Sequence, residues 1–189
     1  MDKYEEMTPL RMNSAELDLL VLAAQDGDRG ALETLVRATQ RDLLRFAFAI
    51  ARDRDLARDA VQDAWVAVAG NLRRLDDPRG FRPWVFRQVR WRVFDQLRRR
   101  SPTAGITAGD EPDDGGRQAG AQATDFDLAR ALGQLAAPER EVVGLFYLSG
   151  LSIAEIALVL DIPPGTVKSR LHRARGELKH QLQGDDDES

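Results

Sequence analysis

The sequence predicts an all-α protein of two small helical domains joined by a flexible linker, with a helix-turn-helix in the C-terminal domain. Apolar residues recur every three or four positions over most of the 189 residues, and no segment shows the sustained alternation of a β-strand. Residues 101–124 break this pattern, because Gly, Pro, Ala and Asp dominate there and almost nothing could pack in a core. Such a composition is typical of a flexible, acidic linker.

This pattern divides the chain into five segments. They are an N-terminal extension (1–13), a helical domain (14–100), the linker (101–124), a second helical domain (125–182) and a disordered acidic tail (183–189). Four helices are expected in the first domain. Ser14 is the expected N-cap of the first helix, Asp53 or Asp55 caps the third, and Pro83 suits the first turn of the fourth.

The most informative motif is LSIAEIALVLDIPPGTVKSRLHRARGEL, at residues 151–178. Ser152 and Glu155 match the capping box S-x-x-E at the start of one helix, and residues 161–163 form a tight turn before the next. The next helix buries an apolar stripe that consists of Val167, Leu171, Ala174 and Leu178. The motif predicts a helix-turn-helix whose second helix enters the major groove of duplex DNA. An ordinary helical hairpin with a charged outer face is the alternative.

The outer face of this last helix is polar and basic. It carries Thr166, Lys168, Ser169, Arg170, His172, Arg173 and Arg175. Arginine pairs bidentately with guanine in the major groove, and the helix N-terminus at Thr166 can hold a phosphate. These seven residues are the predicted contacts to duplex DNA.

The fourth helix of the first domain, FRPWVFRQVRWRVFDQLRRR at 81–100, interleaves arginines with aromatic residues. Its buried side needs one apolar stripe, which consists of Val85, Val89, Val93 and Leu97. The surplus aromatic residues then cannot all be core, although Trp84, Phe86 and Phe94 could each pack on the other three helices. Aromatic surfaces beside arginines suit unstacked bases, so this helix favours single-stranded or melted DNA.

The chain has a net charge of −4 but contains two basic segments. Residues 73–100 hold ten arginines against three aspartates, a balance of +7, and residues 165–180 hold five Lys and Arg against one Glu, a balance of +4. Local patches of this kind provide the electrostatic footprint of a nucleic-acid binder. The chain has no cysteine and only two histidines, which excludes disulfides and thiolate zinc sites, and no cofactor or metal is predicted.

No apolar run approaches the ~18 residues that a membrane span needs, and the N-terminus lacks the apolar run of a secretory signal. We therefore expect a cytoplasmic protein without membrane insertion. No glycine-rich phosphate loop, H-E-x-x-H motif or nucleophile with a nearby base is present, so no catalytic residue and no enzyme activity are expected. A stand-alone helix-turn-helix regulator is the other alternative, although such a protein usually places a ligand pocket or a receiver domain in its first domain.

From about Ser14 to Leu182, the chain resembles the bacterial sigma factors of the extracytoplasmic-function (ECF) group, the minimal two-domain type. Three pieces carry the resemblance: ARDAVQDAWVAVAGNL, the arginine–aromatic helix and the helix-turn-helix. The resemblance implies that the first domain, similar to sigma region 2, binds core RNA polymerase and opens the minus-10 promoter element. It implies that the second domain, similar to region 4, reads the minus-35 element as duplex DNA. An anti-sigma factor as partner, and a role in a stress or envelope response, are further implications.

The family's polymerase-docking motif maps here to Asp59, Gln62, Asp63 and Trp65. Taken alone, the acidic residues Asp55, Asp59 and Asp63 indicate a solvated face or, more weakly, a metal site. In the C-terminal domain, the residues from Thr166 to Arg173 on the polar face match the minus-35 reading helix.

The loop at 75–81 matches the family's specificity loop, which accepts a flipped minus-10 base. The predicted minus-10 contacts are Arg73, Arg74, Arg79, Trp84, Arg87, Gln88, Arg90 and Trp91. Many family members carry asparagine where this chain has Trp91, which either stacks on a base or packs. Two turns of duplex span ~70 Å, well beyond the ~30 Å that the linker averages as a random coil. We therefore expect the free chain to bind promoters weakly until polymerase holds the domains apart.

Overall fold

Helices make up almost all of the described structure. The computed structural model describes residues 13–100 and 132–184, and these two ranges contain helices and turns but no β-strand, which confirms the all-α prediction. The helices discussed below are α1 (Ser14–Gln25), α2 (Arg29–Ala51), α3 (Arg54–Asn71), α4 (Phe81–Arg100), α5 (Ala137–Val143), α6 (Ile153–Leu160) and α7 (Pro164–Gly184). Within the described ranges, none of the helices has the length and apolar character needed to cross a membrane.

Several predicted segments fall outside these ranges. They are residues 1–12 of the extension, the whole linker at 101–124, residues 125–131 of the second domain and residues 185–189 of the tail. The last helix, α7, ends at Gly184, so it includes the first two residues that the sequence assigned to the acidic tail.

Short polar side chains start the helices of the first domain. Asn13 caps α1: its side-chain oxygen accepts a hydrogen bond from the first turn (3.2 Å), and its N–H donates to the carboxylate of Glu16 (3.3 Å). The prediction of Ser14 as N-cap was wrong by one position, because Asn13 and Glu16 form a capping box that leaves Ser14 inside the helix. At α3, Asp53 rather than Asp55 is the N-cap.

The first domain closes around a core rich in aromatic side chains. Phe46, Phe81 and Phe86 are at most 1% exposed, and the rings of Phe46 and Phe86 meet edge to face with centroids 5.5 Å apart. The predicted apolar stripe of α4 packs inward as expected; it comprises Val85, Val89, Val93 and Leu97. Packing therefore takes Phe81 and Phe86 fully and Trp84 in part, whereas Trp91 stays 52% exposed.

The helix-turn-helix of the second domain has the predicted form. The Ser152 hydroxyl accepts a hydrogen bond from the Glu155 N–H (3.2 Å), and the Glu155 carboxylate accepts one from the Ser152 N–H (2.8 Å). α6 ends at Leu160, its C-cap Asp161 adopts the left-handed conformation (φ 56°), and α7 starts at Pro164. The predicted stripe of α7 faces the core; it comprises the buried Val167, Leu171 and Ala174 and the partly buried Leu178.

The two domains pack directly against each other, a contact that sequence analysis did not predict. Gly144 begins a π-helical turn after α5 and lies against α2, where an added Cβ would stand 3.6 Å from Ala49 and 3.7 Å from Phe46. These are ordinary van der Waals distances, so the two domains pack here as closely as neighbouring helices within one core. Buried side chains of both domains consequently form one continuous hydrophobic cluster.

Candidate functional site

A cleft of about 630 Å³ opens where α3 ends and α4 begins. Its walls come from the end of α3, the loop between the two helices and the first turns of α4. The lining residues are Ala67, Asn71, Arg74, Leu75, Asp76, Asp77, Gly80, Trp84 and Gln88. Three predicted minus-10 contacts, Arg74, Trp84 and Gln88, therefore meet around one concavity. An aromatic face, two amide side chains and a guanidinium suit a planar ligand that carries hydrogen-bonding edges.

The loop that forms one wall of the cleft contains two short 3₁₀ turns, Leu72–Arg74 and Pro78–Gly80. Asp77 caps the second turn by accepting the Arg79 N–H (3.0 Å), and its carboxylate also receives the Arg79 guanidinium at 3.0–3.2 Å. These hydrogen bonds from Arg79 lower the pKa of the Asp77 carboxyl. The guanidinium of Arg79 thus pairs with Asp77 at the surface of the loop as well as carrying positive charge.

Past the cleft, the predicted minus-10 residues of α4 lie in different environments. Arg87 is exposed and Gln88 half-buried. Trp91 is 52% exposed, and the Arg92 guanidinium lies 4.7 Å from its ring centroid. Trp91 therefore presents aromatic surface to solvent rather than packing in the core. Proteins that bind single-stranded nucleic acids also place arginines beside exposed rings. Bases and guanidinium groups can both stack on an aromatic face.

Arg90 is held by the second domain. Its Nε donates to the carboxylate of Glu141 in α5 (2.7 Å), whose side chain is only 9% exposed, and its guanidinium also lies 4.8 Å from the ring centroid of Phe94. About two turns earlier, Arg82 donates to the backbone carbonyl of Ser149 (2.7 Å). The docked second domain therefore occupies arginines on the helix that sequence analysis assigned to opened DNA.

The predicted polymerase-docking residues of α3 divide between two faces. Asp59, Gln62 and Asp63 are exposed along one side of the helix. Trp65 is half-buried, and its indole N–H donates to the side-chain oxygen of Gln40 (2.8 Å), so this ring faces α2. Val66 is 70% exposed at the position one turn after the acidic residues. The exposed face is thus acidic with an apolar member.

The acidic residues of α3 do not gather as ligands. Asp55 pairs with Arg58 (3.5 Å), and Asp63 accepts a hydrogen bond from the Gln96 amide (3.2 Å). Among the residues that the structure describes, there is no group of three or more side chains that could hold a metal ion. Between the two alternatives that the residues left open for this face, the geometry favours the solvated acidic surface.

The polar face of α7 is convex and open. Lys168, Ser169 and His172 are exposed, and Thr166 and Arg170 are half-buried. Arg173 and Arg175 have protein partners, since Arg173 pairs with the Glu139 carboxylate (2.8 Å) and Arg175 donates to the Tyr147 hydroxyl (2.7 Å). The Glu139 side chain is only 4% exposed, so Arg173 neutralises a buried charge of its own domain.

Several residues at these surfaces were not predicted from the sequence. Asn71 lines the cleft, Val66 extends the docking face, and Glu141 occupies Arg90. Val66 follows Asp59, Gln62 and Asp63 at helical spacing, so periodicity could have found it. No local signal marks Asn71 or Glu141, because their roles depend on contacts with distant parts of the chain.

Two stretches of the chain match known protein families. Residues 35–103 match sigma-70 region 2, and residues 125–178 match sigma-70 region 4. These two matches and the fold define a class of DNA-binding transcription initiation factors. ECF sigma factor SigC of Mycobacterium tuberculosis is 31% identical over 95% of this chain and 98% of its own length, and SigW of Bacillus subtilis is 28% identical over 82% and 91%. The chain belongs to the ECF group of RNA polymerase sigma factors, which bind core RNA polymerase and promoter DNA.

Solved structures show the same architecture. The structure of CnrH in complex with the cytosolic domain of CnrY is similar with a TM-score of 0.69 and 28% identity, and the similarity covers 92% of this chain and 99% of that one. The sigma factor RpoE in complex with the anti-sigma factor NepR, from Bartonella quintana, gives a TM-score of 0.60 and 27% identity, over 80% and 98%.

Proposed function

We propose that this sigma factor opens the minus-10 element with its first domain and reads the minus-35 element as duplex DNA with its second. The observation that carries the proposal is the cleft beside α4. It combines the Trp84 ring, the Gln88 and Asn71 amides and the Arg74 guanidinium in a concave site. A base can enter such a site only after it has left the duplex, and stacking on an aromatic ring offsets part of the cost of flipping.

Opened DNA leaves the cleft along α4. Arg87 and Trp91 are exposed on this helix, and Arg92 stacks on the Trp91 ring. We propose that Trp91, where many family members have asparagine, stacks on an unpaired base, with Arg87 and Arg92 contributing positive charge. Arg73 and Arg79 flank the cleft and contact the phosphate backbone in this arrangement. The half-exposed ring supports stacking over the alternative that Trp91 only packs.

The second domain reads closed DNA through α7. Its polar face carries Lys168, Ser169 and His172 in the open, where a major groove can reach them. We assign base contacts to Arg170 and Ser169 and phosphate contacts to Thr166 and Lys168. His172, Arg173 and Arg175 complete the surface, the last two after exchanging a protein partner for DNA.

Core polymerase docks on the exposed face of α3 in this proposal. Asp59, Gln62 and Asp63 supply polar contacts, and Val66 adds apolar area at the C-terminal end of this acidic face. Trp65 supports this face from behind through its hydrogen bond to Gln40. An exposed valine beside carboxylates suits an interface. Its side chain is 70% exposed, and removing this apolar surface from water lowers the free energy of the complex.

Polymerase must also separate the two domains. In the packed arrangement Glu141 neutralises Arg90, and the Ser149 carbonyl occupies Arg82. Minus-10 DNA competes with these contacts, so the free chain is a weak promoter binder. Contacts between the domains thus oppose promoter binding in addition to the length of the linker.

We further propose anti-sigma control and a role in a stress or envelope response, in the cytoplasm and without enzyme activity. Support comes from the related complexes, in which CnrH is bound to the cytosolic domain of CnrY and RpoE to NepR. Copurification from unstressed cells of a protein that blocks core binding is the expected observation. Full activity of the sigma factor in unstressed cells would contradict this regulation.

Run-off transcription with purified core RNA polymerase tests the main proposal. Adding the full chain should produce promoter-directed initiation, with permanganate-reactive thymines in the minus-10 region. Asp63→Lys should weaken binding to core, whereas the same charge change at Glu33→Lys, on the exposed surface of α2, should not. No gain of initiation on any promoter of the host genome would refute the proposal.

A further inference from the structure

We infer that Gln25, the last residue of α1, is a positioning residue that sets the shape of the minus-10 cleft. The inference rests on the proposed function of the cleft and assigns a specificity role to a residue outside it. Gln25 does not line the cleft. It acts through the loop between α3 and α4, which forms one wall.

Two hydrogen bonds connect the Gln25 side chain to this loop. Its Nε2 donates to the backbone carbonyl of Leu72 (2.9 Å) and to that of Leu75 (2.7 Å). These carbonyls stand at the beginning of the first 3₁₀ turn and at the residue that follows it. Both contacts are partly buried and span 47 and 50 residues of sequence, so they hold the turn against a separate helix.

A third hydrogen bond runs in the opposite direction. Arg73, between the two carbonyl residues, donates its Nε to the backbone carbonyl of Gln25 (2.9 Å). The last carbonyls of a helix lack partners within the helix, so this contact satisfies one of them. Gln25 and the turn are therefore joined reciprocally, by side chain to backbone in both directions.

The held turn controls the cleft through Leu75. Leu75 lines the cleft and packs partly against the core, and its side chain lies 3.7 Å from the position of a Cβ on Gly80, across the loop. Asp76 and Asp77, the next residues, also line the cleft. Fixing the Leu75 carbonyl thus fixes where the loop turns toward Trp84 on the opposite wall.

Glutamine is chemically suited to this task. Two carbonyl oxygens need a donor with two hydrogens, and the amide NH₂ supplies both without placing a charge near them. Gln25→Ala removes both hydrogen bonds. Gln25→Glu keeps the shape but presents a carboxylate, which has no hydrogen to donate and repels both carbonyls.

The test is promoter selection by holoenzyme. Full-length wild type, Q25A and Q25E are each combined with core RNA polymerase and a promoter library randomised across the minus-35 and minus-10 elements, and the initiating templates are sequenced. We expect Q25A to lose about fivefold in base preference at the minus-10 position whose base enters the cleft, as two hydrogen bonds of modest net strength imply. Q25E should lose at least as much. Preferences in the minus-35 element should stay unchanged.

Thr34→Ala is the matched control. Thr34 donates its hydroxyl to the Gly30 carbonyl (2.8 Å) on α2, so the variant also loses a hydrogen bond from side chain to backbone, but away from the loop. It should keep the wild-type preferences. Amide hydrogen exchange gives a readout independent of DNA: the Leu75 and Gly80 amides, bonded to Leu72 (3.1 Å) and Asp77 (2.9 Å), should exchange faster in Q25A and the α7 amides should not.

Two results would overturn the inference. One is a Q25A protein that keeps every minus-10 preference within twofold of wild type. The other is an equal loss at both elements together with faster exchange throughout, which would make Gln25 a general stability residue. If wild-type holoenzyme selects no minus-10 sequence, the proposed function fails instead, and exchange at Leu75 and Gly80 still decides whether Gln25 orders the loop.

Discussion

The two surfaces that we propose contact DNA both carry arginines but differ in shape. α4 and the loop before it form a concave surface with a cleft of about 630 Å³, in which arginines alternate with aromatic rings. α7 presents a convex polar face with no aromatic residue. Unstacked bases need a concavity and a flat apolar face, whereas an intact major groove needs a protruding helix. Shape and aromatic content, more than charge, therefore separate a surface for opened DNA from one for duplex DNA.

The surfaces also differ in what holds their arginines. On α4, Arg82 and Arg90 are bound by groups of the other domain. On α7, Arg173 and Arg175 are bound within their own domain, by Glu139 and Tyr147. Moving the domains apart frees the first pair but leaves the second as it is. The arginine contacts are thus between domains at one surface and within one domain at the other, where DNA itself must replace the protein partner.

The largest expected effect tests whether the aromatic ring of Trp84 is needed for opened DNA but not for duplex DNA. Trp84→Ala should reduce the formation of open complexes by about 10- to 100-fold, because base stacking contributes ~1–3 kcal/mol. Duplex binding through α7 should stay unchanged. Permanganate reactivity of promoter thymines measures the first quantity, and electrophoretic shift on a minus-35 duplex the second. Trp84→Phe keeps a ring against Phe81 and should retain most of the activity; an equal loss in both assays would show that Trp84 only maintains the fold.

The next test separates the two arginine roles on α7. Arg170→Ala should weaken binding to the minus-35 duplex by about tenfold and relax base preference at one position, with little change in the free energy of unfolding. Arg173→Ala should also lower the free energy of unfolding, by about 1–3 kcal/mol, because Glu139 is left buried without its partner. Titration with duplex DNA and urea denaturation measure the two effects. Equal stability of both variants would contradict the assignment of Arg173.

A smaller effect in the opposite direction tests the contact between domains. Glu141→Gln should increase binding of the full chain to a random-sequence single strand by about three- to tenfold, because Arg90 loses an ion pair that the docked domain provides. Fluorescence anisotropy without polymerase measures this gain. Glu33→Gln removes one negative charge from an exposed pair with Arg37 and should change binding little. Identical gains in both variants would mean that overall charge, and not the domain contact, limits binding.

The smallest effect concerns the helix that carries the docking face. Asp53 caps α3 and pairs with Arg100 (2.7 Å), and the α3 N–H groups, first that of Leu56, lower the pKa of its carboxyl. Asp53→Ala should lower the free energy of unfolding by about 1 kcal/mol at neutral pH. Since the folded-state pKa lies below the unfolded one, this contribution is present above about pH 4 and disappears as pH falls through the folded-state value. Urea denaturation at several pH values checks it; a pH-independent difference would contradict the cause.

Local structure was largely predictable from the sequence. The capping box at Ser152 and Glu155, the apolar stripe of α7 and the stripe of α4 all appear in the structure as predicted. These features depend on neighbours within a few residues, so spacing and residue type suffice to identify them. The misplaced cap at Ser14 is a small error of the same local kind, because Asn13 and Ser14 are both good caps and only geometry chooses between them.

The sequence by itself determined that the chain is helical, that it ends in a helix-turn-helix and which face of α7 is polar. Tertiary structure alone decided that Trp65 faces Gln40, that Gln25 holds the loop at Leu72 and Leu75, and that Glu141 reaches Arg90. The physical reason is range. Helical periodicity and capping depend on residues that are neighbours in sequence. A cleft or a domain contact requires groups far apart in the chain to meet, and only the packed core brings them together.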